Sequence, residues 1–162
     1  MSLYSIIYDR ELVLEFVLVF SRFEYSLKRK GFLTKNATHA ESDWDSFAVS
    51  CRGRFTELSS PEFKDACRTL LSRPPKKQIV APEGTLGWAE TKRGPSEREE
   101  EFLVRLVRTI RNNLFHGGKF PYPDGPVQDV ARDRELINSA LVVLKEALAL
   151  HPDLDATFRE AA

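Results

Sequence analysis

The chain has 162 residues, a single-domain length able to bury one core without help from disulfides or metal. With 42% apolar and 30% charged residues, it lacks the low-hydrophobicity composition of disordered chains. The 24 lysines and arginines balance the 24 aspartates and glutamates, so net charge argues for no nucleic-acid partner and any cationic surface must be local.

Proline and glycine divide the chain, without internal repeats, into about five helical stretches. The first, residues 10–30, sets Leu12, Phe16, Val19, Phe20, Phe23 and Leu27 at helical spacing before Gly31. Its apolar run from Leu12 to Phe20 is broken by Glu15 and preceded by Asp9, Arg10 and Glu11. It is too short to span a bilayer and lacks a signal peptide's basic start, so the expected location is the cytoplasm. The second stretch begins at Ser42, with Asp43 and Asp45 in its first turn and an apolar stripe of Trp44, Phe47, Ala48, Cys51, Phe55 and Leu58. That spacing matches a buried helix face rather than a base-stacking platform.

A short third helix over residues 61–72 ends at Pro74 and Pro75, followed by a loop over 76–95 with no strand period. The fourth helix is expected to start with Ser96 as N-cap and Glu99 completing a capping box, and to run to His116 before Gly117 and Gly118. After an irregular segment at 119–126, a last helix over 130–150 buries Leu136, Ile137, Ala140, Leu141, Leu144 and Leu148, with His151 and Pro152 closing it. These features predict one all-α domain over residues 1–162, an antiparallel bundle of about five helices.

Cys51 and Cys67 belong to no CxxC or Cys/His cluster, so reduced, packed thiols are expected and no zinc site or disulfide. Walker, GxSxG, HExxH and dinucleotide fingerprints are all missing, and no cofactor is expected.

Chemistry concentrates on the fourth helix. Leu103, Leu106, Val107, Ile110 and Leu114 share a core-facing arc, whereas Arg105, Arg108, Arg111, Asn112, Phe115 and His116 gather opposite. Arg111 and His116 are five residues apart, their directions differing by about 140° with Asn112 between them. A long arginine can reach toward the histidine, and a phosphate could sit over that face. The same spacing is also that of a solvated helix face ending in a histidine near the last carbonyls.

The run RTIRNNLFHGGK, Arg108 to Lys119, resembles the signature of HEPN domains, in which an Arg, a polar residue, a few variable positions and a His lie near the end of a late helix. Here Arg111 and His116 give the R-x4-H spacing and Asn112 the polar position. The stretch RFEYSLKRKGF, Arg22 to Phe32, also resembles first helices of such proteins. The resemblance implies a HEPN-like helical domain. By extension it implies a metal-independent endoribonuclease acting on RNA by 2′-hydroxyl attack, of the toxin–antitoxin or phage-defence kind.

The same resemblance implies a homodimer bringing two copies of the fourth helix to a shared cleft, and an antitoxin or nucleotidyltransferase partner. His116 would be general acid or base, Arg111 would stabilise charge on phosphate, and Asn112 would position one or the other. Where some relatives carry a modified tyrosine two residues after the histidine, this chain has Gly118, so that control is not implied.

Glu24 could orient Arg111 or Arg108, or be a solvated carboxylate. Arg105, Arg108, Lys119 and Tyr122 are candidate RNA contacts. His39 and His151 read as surface residues. Two functions compete: the nuclease, and a non-catalytic module holding RNA, nucleotide or a partner protein on the same face.

Overall fold

The computed structural model describes residues 9–36, 38–116 and 129–160. Among them are six α-helices and one two-stranded sheet, so the fold is mostly helical but exceeds the sequence expectation by one helix and a hairpin.

Helix α1, Arg10–Arg29, is capped by the Asp9 carboxylate, which accepts from Leu12 N at 3.0 Å. Its Leu12, Phe16, Phe20, Phe23 and Leu27 are buried. Gly31, at φ +87°, turns the chain, and Phe32 N donates back to Leu27 O. The connection then folds against itself: Thr34 N donates to Glu41 O at 3.0 Å and Asp43 N to Phe32 O at 2.9 Å. This return lays Ser42 and Trp44 beside α1.

Helix α2, Trp44–Ser50, takes Asp43 rather than Ser42 as N-cap and is shorter than its apolar stripe suggested. Gly53, at φ +71°, breaks the continuation, and Phe55–Glu57 form only a 3-10 turn. The stripe still packs inward: Trp44 and Phe47 are 4% and 1% exposed, and Phe55 meets the Phe63 ring edge-on. Helix α3, Pro61–Ser72, follows from its Ser60 cap.

The expected loop contains an antiparallel hairpin, β1 Lys77–Val80 and β2 Leu86–Ala89, in register Lys77 to Ala89 and Val80 to Leu86. Gly84, at φ +83°, supplies its turn. Thr91, buried beyond the hairpin, donates to Pro75 O and closes the segment at its base.

Helix α4, Glu99–Phe115, begins two residues later than the Ser96 cap implied. Gly94 N donates to Glu97 Oε2 and Glu97 N to Gly94 O, so Ser96 lies in a turn. Arg98 takes the cap position; it has no side-chain acceptor, and only the reciprocal half of a capping box forms, with Glu101 Oε2 accepting from Arg98 N at 3.0 Å.

Helix α5, Val130–Ala147, ends in a 3-10 turn, Leu148–Leu150. Pro152 then starts helix α6, Pro152–Arg159, instead of closing the chain's last helix, since a proline fits the first helical position. The core joins α1, α4 and α5 through Phe16, Phe23, Leu103, Leu106, Ile137 and Val143, with α2, α3 and α6 packed around them. No helix among the described residues is long and apolar enough to cross a membrane.

Candidate functional site

Helix α4 is buried over more of its circumference than an outer bundle helix. Phe102, Val104 and Asn113 are buried along with Leu103, Leu106, Val107 and Ile110 of the expected arc, whereas Leu114 is only partly buried. The facing arginines therefore occupy grooves between α4 and its neighbours, and their partners differ.

Arg105 grips Glu97 through Nε and Nη2, both at 2.7 Å, and also donates to Lys92 O at 2.9 Å. This fork holds the Glu97 carboxyl below the ordinary carboxylate range. Arg105 is thus a clasp on the segment leading into α4. Arg108 Nη1 pairs with Asp45 Oδ1 of α2 at 2.8 Å; Asp45 is largely exposed, so the pair is weakly held.

Arg111 has no carboxylate partner among the described residues. Its Nη1 donates to Asn112 Oδ1 at 3.1 Å, and its guanidinium carbon lies 5.6 Å from the Phe20 ring centre and 4.9 Å from that of Phe115. The two rings hold a planar cation in place without neutralising it. Phe20 is buried on α1 and Phe115 is more than half exposed, so one face of the clamp is anchored in the core and the other is open to solvent.

A polar cleft of about 390 Å³ opens beside this cation. Glu24 and Lys28 of α1, the Ala40–Trp44 return, and Arg108, Arg111 and Asn112 of α4 line it. Glu24 does not pair with either arginine. Its Oε1 accepts from the Trp44 indole Nε1 at 3.0 Å, while Ser42 Oγ donates to the Glu24 carbonyl at 3.1 Å. A buried tryptophan requires an acceptor for its N–H, and that requirement fixes the carboxylate at the cleft wall.

His116 is the C-cap of α4. Its backbone N–H donates to Asn112 O at 2.8 Å and its side chain is exposed, outside the cleft lining. The fold thus brings Arg111, Asn112, Arg108 and Glu24 to one cleft and leaves His116 at its edge along the helix. Lys119, Tyr122 and Gly118 lie outside the described residues. No group of three or more His, Cys, Asp and Glu side chains suited to a metal occurs among the described residues.

The residues that sequence reasoning missed are Lys28, Ser42 and Trp44, because their roles depend on the return after Gly31. Asn113, next to Asn112, is buried and donates from Nδ2 to Lys76 O at 2.8 Å, tying α4 to the hairpin. His39 is exposed as expected, but His151 is half-buried rather than a surface residue. Its Nε2 lies 3.2 Å from Ser50 Oγ and 3.9 Å from Cys51 Sγ, and its ring packs against Phe47 and Phe32. Burial, and secondarily the Arg54 charge, lower its pKa. Burial also pushes the Cys51 and Cys67 thiols up to about 11 and about 12, leaving both protonated and unreactive.

No family model, no curated protein and no solved structure matches the chain.

Proposed function

We propose that the chain is a HEPN-like helical domain acting as a metal-independent endoribonuclease, with Arg111, Asn112 and His116 as its working residues and a toxin or defence role. The observation that carries this reading is the state of Arg111: a half-buried guanidinium clamped by two aromatic rings at a polar cleft, with no carboxylate partner among the described residues. Its remaining donors suit a phosphate, which a planar fork binds through paired hydrogen bonds.

In the proposed reaction the substrate 2′-hydroxyl oxygen attacks phosphorus as its proton passes to a base. The phosphorus–O5′ bond breaks and O5′ receives a proton, leaving a 2′,3′-cyclic phosphate and a 5′-hydroxyl. His116 serves as the base or the acid, Arg111 stabilises the charge on the phosphoryl oxygens, and Asn112 holds the Arg111 fork. The chemistry needs no cofactor. Arg108 can exchange its exposed Asp45 for RNA phosphate, whereas Arg105 is committed to Glu97. The working form is a homodimer, with an antitoxin or nucleotidyltransferase as regulator.

One observation favours the second reading, a module that holds RNA, nucleotide or protein without cutting: the His116 side chain stands outside the cleft lining. End-labelled RNA incubated with the protein in excess chelator separates the two. The nuclease reading expects products ending in cyclic phosphate and 5′-hydroxyl. Cleavage that requires added magnesium or manganese, or RNA bound but intact, overturns it.

A further inference from the structure

The outward side of α1 carries a second pattern that the cleft does not use. Glu11, Leu14, Leu18, Ser21, Tyr25 and Lys28 recur at alternating steps of three and four, the spacing of a coiled-coil seam. Leu14 and Leu18 are each 59% exposed and Tyr25 47%, although the other face of the same helix is fully buried. Tyr25 is held ready: Arg22, anchored by Nε to Phe158 O at 2.9 Å and Nη2 to Thr157 O at 3.0 Å, lies over its ring at 5.4 Å.

We propose that this seam is the contact surface for a second copy of the chain, with the two α1 helices antiparallel about a twofold axis. The pattern is self-complementary in that direction. Aligned antiparallel, Leu18 faces Ser21 of the partner subunit, Leu14 faces Tyr25 of the partner subunit, and Glu11 faces Lys28 of the partner subunit, with every contact repeated by symmetry. Small Ser21 gives Leu18 room, and opposite charges close both ends of a seam about 26 Å long. A parallel pairing would instead set Glu11 on Glu11 and Lys28 on Lys28. Neither Glu11 nor Lys28 has an ion-pair partner among the described residues of its own chain.

The pairing has a consequence for the cleft, resting on the nuclease reading above. A twofold relating antiparallel helices runs perpendicular to the plane of the pair, so matching flanks of the two copies face the same side. Lys28 belongs to both the seam and the cleft wall, and both clefts therefore open on one face of the dimer, within reach of one RNA, in place of the single cleft shared by two copies of α4 that the HEPN resemblance implies.

Sedimentation of the full chain, without RNA, at micromolar to tens-of-micromolar concentration tests the seam. The wild type is expected to dimerise, and Glu11→Lys alone or Lys28→Glu alone to weaken the dimer by on the order of tenfold or more through like-charge contact at both ends. An equimolar mixture of the two variant chains should recover the wild-type association, because their heterodimer has opposite charges at both ends. Leu18→Asp, checked for native helicity by circular dichroism, should be monomeric. A monomeric wild type, a dimer indifferent to the single substitutions, or a mixture no better than its components overturns the proposal; should Leu18→Asp fail to fold, the charge pair still decides. A seam confirmed in this way in a protein that cuts no RNA removes the nuclease reading and leaves the dimer standing.

Discussion

The Arg111 guanidinium carbon lies 4.9 Å from the centre of the Phe115 ring, four residues on in the same helix, and 5.6 Å from the Phe20 ring of α1. This clamp makes a clear distinction between charge and shape. Arg111→Lys keeps the charge but loses the planar group that stacks between rings and binds phosphate through a fork. The expected outcome is a loss of RNA cleavage on the order of 100-fold with an unchanged melting profile. A lysine variant within a few-fold of wild type would show that Arg111 contributes only diffuse charge.

The Trp44–Glu24 hydrogen bond gives a second test. Trp44→Phe retains a ring to stack on Phe20 and Phe23, now 4.9 and 5.4 Å from Trp44, but removes the donor at 3.0 Å from Glu24 Oε1. The expected stability loss is about 1–3 kcal/mol, combining a lost hydrogen bond to a charged group with reduced ring area. If Glu24 orients the cleft, cleavage should fall roughly tenfold or more beyond what the unfolded fraction explains, and Glu24→Gln should show a similar loss in a stable protein. Both variants cutting at the wild-type rate would reduce Glu24 to an acceptor for the tryptophan.

The helical class was legible because the buried positions repeat at helical spacing through α1, α4 and α5. Boundaries were less so. Ser96 and Glu99 have the spacing of a capping box, but the Glu97–Arg105 clasp, a contact between residues eight apart, moved the start to Glu99. The hairpin escaped notice because four-residue strands offer too few alternations to define a period, and α6 because Pro152 reads equally as a stop or a first helical residue. The spacing to His116 singled Arg111 out as a candidate. That no described carboxylate pairs with it was not readable, because Asp45 and Glu97 reach the neighbouring arginines only in the folded chain.

His151 predicts a pH dependence of stability. Its folded pKa is lowered below the ordinary value of 6.5, chiefly by burial, so below that pH the unfolded chain binds more protons than the folded one. This contribution is fully present above about pH 6.5 and is lost as pH falls through that value toward the lowered folded pKa. Urea unfolding at pH 7.5 and 5.0 should show a decrease at the lower pH, and His151→Gln should reduce that decrease. An identical pH dependence in wild type and variant would mean that the ring stays solvated in solution.

His116 separates catalysis from capping. It ends α4 with its backbone N–H on Asn112 O, and its exposed side chain has no partner among the described residues. A histidine whose role is charge at a helix C-terminus contributes roughly 0.3–1 kcal/mol, so His116→Ala should then lose activity only in step with unfolding. A proton-transfer group behaves differently: the variant should keep the wild-type melting profile and dimerisation yet lose on the order of 100-fold or more in cleavage. The nuclease reading expects the second pattern, with RNA binding by the variant nearly intact because the Arg111 clamp is untouched. His116→Asn refines the comparison, since an amide keeps a hydrogen-bonding side chain at the helix end but cannot exchange a proton near neutral pH; it should be as inactive as the alanine variant. Folded, dimeric His116→Ala cutting RNA at the wild-type rate, in preparations free of contaminating nuclease, would remove His116 from the chemistry and leave a cleft that binds phosphate without cleaving it.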